Sequence, residues 1–257
     1  MPRPDETSMG GANQGFLGTP WTEILRARTE APARRREALG RILGRYWKPL
    51  YCYLRRRGHS NEEAKDLVQG FCQEVVLGRG LVAQADRAKG RFRTFLLTAL
   101  AHYVASVHRA ETARKRRPQN GLVRLDATDG PGVPEPAAYG TPEDAFHRAW
   151  AAALLDEVIA EVRKACARDG KATHWAVFRA RVLAPIMEDA APPSLADLCA
   201  RHGIAGEDAA SNMTITVKRR FEAALTRHVR ELVESDADVA GEIRDLMEIL
   251  SKGHARP

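Results

Sequence analysis

The chain has 257 residues, 44% of them hydrophobic, and 40 Lys and Arg against 33 Asp and Glu give a net charge of +7. This excess favours a polyanionic partner, and no apolar run approaches the ~18 residues that a membrane-spanning helix needs. The first 20 residues contain four Gly and three Pro, with no basic start before an apolar segment. We therefore expect a disordered arm at 1–20, no secretory signal and a cytoplasmic location.

Residues 21–57 are predicted to be helical, with interruptions near Pro32 and Pro49, because apolar residues recur there every three or four positions. The other side of this stretch is strongly basic, since eleven Arg or Lys lie between Arg26 and Arg57 against two Glu. A solvated helix face more often mixes both signs.

A second helix is predicted from Asn61 to Leu77, with Ser60 or Asn61 as its N-cap. Its apolar residues share one face, and another face carries a polar stripe at spacings of four, three and four: Glu62, Asp66, Gln69 and Gln73. Acids one turn apart on a helix are more often a solvated or partner-binding face than a metal site. A short basic loop then leads into a third amphipathic helix, predicted at 92–116.

Four Pro and four Gly at 117–141 argue against any regular element there. We place a linker at 118–141, which is either a passive tether or a functional strand, between domains at 21–117 and 142–234. A C-terminal helical extension at 235–257 either packs on its own domain or binds a partner.

The second domain is predicted to open at Pro142, after a Thr141 cap. Further helices are expected at 174–187, after Ser194 and at 208–233, the last two joined by a turn at Gly203. Such a pair matches the helix-turn-helix pattern. No convincing strand is found, so the fold class is all-α, with two small helical domains.

The outer face of the last long helix, opposite its apolar face, is predicted to carry base-edge and phosphate donors together with one isoleucine: Ser211, Asn212, Ile215, Lys218 and Arg219. Recognition helices present such residues to base edges and phosphates in the major groove. An ordinary charged surface helix is the alternative. A second basic cluster, which includes Arg114, Lys115 and Arg116, ends the third helix and could supply phosphate contacts.

Enzymatic signatures are missing from the sequence, which has no glycine-rich phosphate loop and no metal-binding or nucleophile motif. The four cysteines lie far apart with no metal-ligand spacing, so we expect reduced thiols that pack as small apolar groups. We expect no catalytic residues, no metal and no cofactor.

The motifs "EEAKDLVQGFCQEVV" and "KGRFRTFLLTALAHYV", a Pro/Gly linker and a terminal helix-turn-helix pattern together resemble an extracytoplasmic-function sigma factor. The segments "TPWTEIL", "RYWKPLYCYLRRRGHS", "TPEDAFHRAW" and "NMTITVKRRF" are similar to its large planctomycete-like branch. The resemblance implies a non-enzymatic protein that binds core RNA polymerase and promoter DNA, with an anti-sigma factor as a further partner.

Carried over residue by residue, the resemblance implies polymerase binding at Asp66, Leu67, Gln69 and Phe71, and the polar stripe adds Gln73. It implies that Lys89, Arg91 and Arg93 lie near the loop that captures the unpaired −10 strand. It also implies that His102 and Arg109 lie on the helix that faces the upstream duplex. It implies −35 recognition at Ser211, Asn212, Lys218 and Arg219.

Three hypotheses follow from the sequence. The first is a promoter-specificity subunit of RNA polymerase. The second is a helix-turn-helix regulator that binds DNA without polymerase, and the third is an RNA-modifying or nuclease-like enzyme. Substitution of Asp66 and Gln69 separates the first two, because only the first needs these residues for its partner.

Overall fold

The computed structural model describes residues 21–86, 89–115, 140–187, 190–233 and 235–251. These residues form helices and no strand, which confirms the all-α prediction. The predicted arm at 1–20, nearly all of the predicted linker and the end of the C-terminal extension lie outside the described residues. No helix in the described ranges is both long enough and apolar enough to cross a bilayer.

The chain divides into two compact units, one including Trp21–Trp150 and the other including Ala151–Met247. The elements of the first are α1 (Trp21–Thr29), α2 (Pro32–Arg56), α3 (Asn61–Gly70), a π-helical segment (Phe71–Gly78), a 3₁₀ turn (Leu81–Gln84) and α4 (Phe92–Lys115). The boundary between the units falls inside the next helix, α5 (Pro142–Arg168). The predicted division at 21–117 and 142–234 stays a prediction.

The core of the first unit is built around Tyr46, which is buried in α2. The Phe92 ring lies edge-on to it at 5.5 Å, and the Phe146 ring stacks on it at 6.4 Å between centroids. Such aromatic pairs contribute roughly 0.5–1.5 kcal/mol each beyond the area they bury. The first two turns of α5 therefore belong to this core.

The two proline predictions have different outcomes. The break at Pro32 is confirmed, because α2 begins there and Pro occupies the first helical position, where no N–H donor is needed. The break at Pro49 is wrong, since α2 continues through Pro49 to Arg56. Pro49 is buried among the core residues of α2, and we infer that this packing outweighs the lost backbone hydrogen bond.

Reciprocal side-chain caps fix two helix starts. The Ser60 hydroxyl accepts from the Glu63 amide at 3.3 Å, and the Glu63 carboxylate accepts from the Ser60 amide at 2.9 Å. Ser60 is therefore the N-cap of α3, and this hydrogen bond with the Ser60 backbone is the main cause that lowers the pKa of Glu63. Thr141 and Asp144 form the equivalent pair at the start of α5, so the predicted Thr141 cap is confirmed.

The second unit begins within α5 and continues with α6 (Ala172–Phe178), a π-helical segment (Arg179–Leu183), α7 (Ala184–Met187), α8 (Leu195–His202), α9 (Glu207–Arg230) and α10 (Val239–Ser251) as far as Met247. One buried cluster joins α5 to α9 through Val158, Phe178 and Val217. A smaller cluster joins α8 to α9 through Leu198 and Ala210. These contacts bury the inner face of α9 and so fix which of its faces points outward.

Candidate functional site

The polar stripe that runs along α3 into the π-helical segment is exposed. Asp66, Gln69 and Gln73 all lie at the surface, and none of their side chains forms a hydrogen bond or ion pair with another described residue. Glu62, at the start of the stripe, pairs with Lys65 at 3.1 Å. The stripe thus offers one carboxylate and two carboxamides whose donors and acceptors are available to a partner.

Two apolar residues of the predicted polymerase-binding set lie deeper. Leu67 is half-buried. Phe71 is 0% exposed and its ring packs on Tyr103 at 5.8 Å. This placement corrects the expectation that Phe71 contacts a partner directly, because a side chain in the core supports the stripe from beneath.

Gly70 lies between the stripe and α4 and allows a close approach. A Cβ added at Gly70 would collide with the Tyr103 hydroxyl. That hydroxyl donates to Glu74 Oε1 at 3.4 Å, and burial, with the nearby Glu74 charge, raises the pKa of Tyr103. The glycine in "DLVQGF" thus has a local physical reason: it gives the tyrosine room.

A groove of about 500 Å³ lies beside this contact, between the π-helical segment and α4. Its lining includes Glu74, Arg79, His102, Tyr103 and Glu111. The volume falls in the range of roughly 300–1,000 Å³ that small-molecule sites occupy. Charges of both signs around one aromatic ring suit a flat, polar ligand that stacks and accepts hydrogen bonds.

Most of the predicted DNA-binding residues of the first unit are at the surface. Lys89, Arg91, His102 and Arg109 are exposed, and the Lys89 side chain forms a loose ion pair with Asp86 at 3.7 Å. His102 and Arg109 lie two turns apart on the solvent-facing side of α4. Of the terminal basic cluster, Arg114 and Lys115 lie in the last turn of α4, and Arg116 lies outside the described residues.

Arg93 lies elsewhere than expected. It is 5% exposed, and its guanidinium carbon lies 4.2 Å from the centroid of the Trp150 ring in α5. A desolvated cation over an indole contributes about 2 kcal/mol, so this residue stabilises the first unit. The prediction that Arg93 contacts DNA is corrected for this structure, because the side chain is covered by α5.

His147 borders the same contact and is half-buried. Burial lowers its pKa, and the Arg93 charge lowers it further. We therefore expect a neutral imidazole here at pH 7. Its buried Nδ1 atom has no hydrogen-bond partner among the described residues.

The predicted face of α9 points outward. Asn212, Lys218 and Arg219 are exposed and Ser211 is half-buried. Gly203 adopts a left-handed conformation at φ 64°, which ends α8 and allows the short turn into α9. The two helices and their turn follow the spacing expected of a helix-turn-helix, and that assignment stays a prediction.

The sequence did not foresee the Arg93–Trp150 contact or the role of Tyr103 beside the groove. One signal for the second was present, since an isolated glycine in a helical pattern often marks a close approach. No cluster of three His, Cys, Asp or Glu residues that could hold a metal occurs among the described residues. All four cysteines are free, and burial raises the pKa of Cys72 to about 11.

Comparison of the chain with protein-family models, curated proteins and solved structures gave no match. The resemblance to a sigma factor therefore rests on the sequence motifs quoted above.

Proposed function

We propose that this protein is a sigma factor that binds core RNA polymerase and directs it to specific promoters. The observation that carries the proposal is the exposed stripe formed by Asp66 and Gln69 on α3 and by Gln73 on the π-helical segment that follows it. A chain with a net charge of +7 does not need an acidic and amide-rich stripe to hold DNA. Such a stripe suits a protein partner, and core RNA polymerase is the partner that the resemblance implies.

Two further surfaces support a role on DNA. The groove beside Tyr103, with His102 at its wall, offers a place for an unstacked base on α4, where Arg109 is an exposed cation. Extruding a base costs a few kcal/mol, and stacking on an aromatic ring recovers about 1–3 kcal/mol of it. The outer face of α9 would read the upstream duplex element.

In this proposal the protein is not an enzyme and needs no metal or cofactor of its own, because polymerase performs the chemistry. It acts in the cytoplasm, where polymerase and promoter DNA are found. An anti-sigma factor would regulate it by covering one of these surfaces.

Reconstitution tests the proposal. Purified full-length protein is mixed with sigma-free core RNA polymerase and fragmented host DNA, and the transcripts are sequenced. Discrete start sites that share a two-part upstream motif are the expected result. Absence of a complex and of transcripts, with salt-dependent DNA retention by the protein alone, would favour the regulator that acts without polymerase.

A double substitution, Asp66→Ala with Gln69→Ala, sharpens this test. Loss of a binding hot spot removes about 2 kcal/mol, so polymerase affinity should fall about 30-fold while DNA retention stays unchanged. The matched control is Asp156→Ala, which removes an exposed helical carboxylate from α5 and should leave both activities intact. Equal polymerase binding by the double variant and wild type would contradict the proposal.

A further inference from the structure

The outer face of α9 carries a narrow stripe that includes one apolar side chain. Asn212, Ile215 and Arg219 are exposed there, and at 3.6 residues per turn they point within about 60° of one another. The opposite face is held in the core by Ala210, Val217 and other buried residues. The direction of the stripe is therefore fixed by packing.

Ile215 is the unusual member of this stripe. It is 43% exposed, although a large β-branched side chain gains nothing from water and little from a helical backbone. The neighbouring threonines have no hydroxyl donor left for a partner, because Thr214 and Thr216 donate their O–H groups to the backbone carbonyls of Ala210 and Asn212. Ile215 thus presents a bare methyl surface between two polar side chains.

The charge around Ile215 selects the kind of partner. Three arginines of α9 are ion-paired: Arg220 with Asp169, Arg227 with Glu161 and Arg230 with Asp236. Lys218 and Arg219 form no ion pair with any described residue. The two cations of α9 that remain available therefore lie one turn after Ile215, which fits a polyanion better than a protein groove.

The chemistry of base edges indicates which DNA group each member of the stripe can contact. In the major groove an Asn side chain pairs with adenine, an apolar side chain contacts the C5-methyl group of thymine, and Arg binds guanine or phosphate. Along a helix that rises 1.5 Å per residue, Asn212 and Arg219 are about 10 Å apart. This distance spans about three base pairs at a rise of 3.4 Å.

We propose that Ile215 is a specificity-determining residue that reads the C5-methyl group of a thymine, within one or two base pairs of an adenine read by Asn212. The inference rests on the proposed function, because it names the DNA chemistry that α9 recognises. Asp208 lies one turn before Asn212, and its negative charge disfavours a phosphate near the N-terminus of α9. We therefore expect Lys218 and Arg219 to make the phosphate contacts.

The test replaces thymine by uracil, which pairs identically and lacks only the C5-methyl group. Full-length protein, with and without core polymerase, first selects duplexes from a random pool. Each thymine of the selected duplex is then replaced in turn. One replacement should weaken wild-type binding about fourfold, the effect of one buried methyl group. Ile215→Ala should bind the thymine and uracil duplexes equally.

Ile186→Ala is the matched control, because Ile186 is 59% exposed on α7 and lies outside the stripe. This variant should keep the fourfold ratio. Circular dichroism of both variants checks that the helices remain folded. Ile215→Val should give an intermediate ratio, since it keeps part of the methyl surface.

Three results would overturn the inference. The first is an Ile215→Ala variant that keeps the wild-type ratio of thymine to uracil binding. The second is a variant that loses polymerase affinity without DNA while the ratio stays unchanged, because Ile215 would then contact protein. The third is a pool from which no sequence is enriched. The proposed function is judged separately, by transcripts in the reconstitution, so the two can fail independently.

Discussion

Replacing Gly70 with Ala tests whether the contact between α3 and α4 is as close as the structure has it. Gly70 has ordinary helical dihedral angles, φ −61° and ψ −43°, so alanine meets no backbone strain. The new methyl group would instead collide with the Tyr103 hydroxyl and lie 3.5 Å from its Cζ atom. Tyr103 has little freedom to move away, because its ring packs on the buried Phe71.

Two opposing effects set the magnitude. Alanine is favoured over glycine inside a helix by about 1 kcal/mol. Overpacking a well-fitted contact costs about 1–3 kcal/mol, so the free energy of unfolding should fall by about 1 kcal/mol net. In a Tyr103→Phe background the hydroxyl is gone, and Gly70→Ala should instead stabilise by about 1 kcal/mol. The coupling between the two positions is then about 2 kcal/mol.

Urea denaturation of the four full-length proteins, followed by circular dichroism, measures this coupling. Gly40→Ala is the control, because Gly40 lies in α2 with no atom within 4 Å of an added Cβ. It should stabilise by about 1 kcal/mol in either background. If Gly70→Ala lowers the free energy of unfolding equally with Tyr or Phe at position 103, the reasoning about this contact is wrong.

Three other predictions concern charged residues. Arg93→Met should lower the free energy of unfolding by about 1–2 kcal/mol. In a Trp150→Leu background the loss should be smaller, because the cation–π contact is already absent. Urea denaturation measures the loss in each background, and equal losses would contradict a role for this contact. Burial raises the pKa of Glu161, but hydrogen bonds with Arg227 and His228 of α9 outweigh this effect and lower the pKa below its usual 4.5. The stabilisation from this lowered pKa is present above pH 4.5 and lost as pH falls, so Glu161→Gln should cost up to about 1 kcal/mol at pH 7 and reduce the acid sensitivity of unfolding. Replacing Lys218 or Arg219 by Ala should each reduce the salt slope of DNA binding by about 0.9 if each cation neutralises one phosphate; an unchanged slope would remove that cation from the interface.

The helices were predictable because local signals agreed with the packing. Ser60 with Glu63, Pro32 and Thr141 mark helix starts through their own chemistry, whatever the rest of the chain does. Pro49 misled because its local cost is offset by burial in a core that the sequence around it does not describe. Tertiary packing can override a local breaker, and a single sequence gives no measure of that packing.

The site was predictable to a smaller extent. Helical periodicity placed Asp66, Gln69 and Gln73 on one exposed face, because the period depends only on backbone geometry. It could not place Arg93, since the burial of that cation depends on Trp150, which lies more than fifty residues along the chain. Phe71 and Tyr103 depend on each other in the same way. Contacts between side chains far apart in the sequence are the part of the site that a single sequence cannot predict.

The distribution of charge over the described surfaces explains why the two proposed binding activities can be tested separately. Apart from the ion-paired Glu62, the polar stripe has one carboxylate and two carboxamides, so its contacts with a protein depend mainly on hydrogen bonds and change little with salt. The outer face of α9 has two available cations, and each phosphate they neutralise makes DNA binding more sensitive to salt. Moderate salt should therefore dissociate DNA before polymerase. A protein that used both of its units only to hold phosphates would lose both activities together.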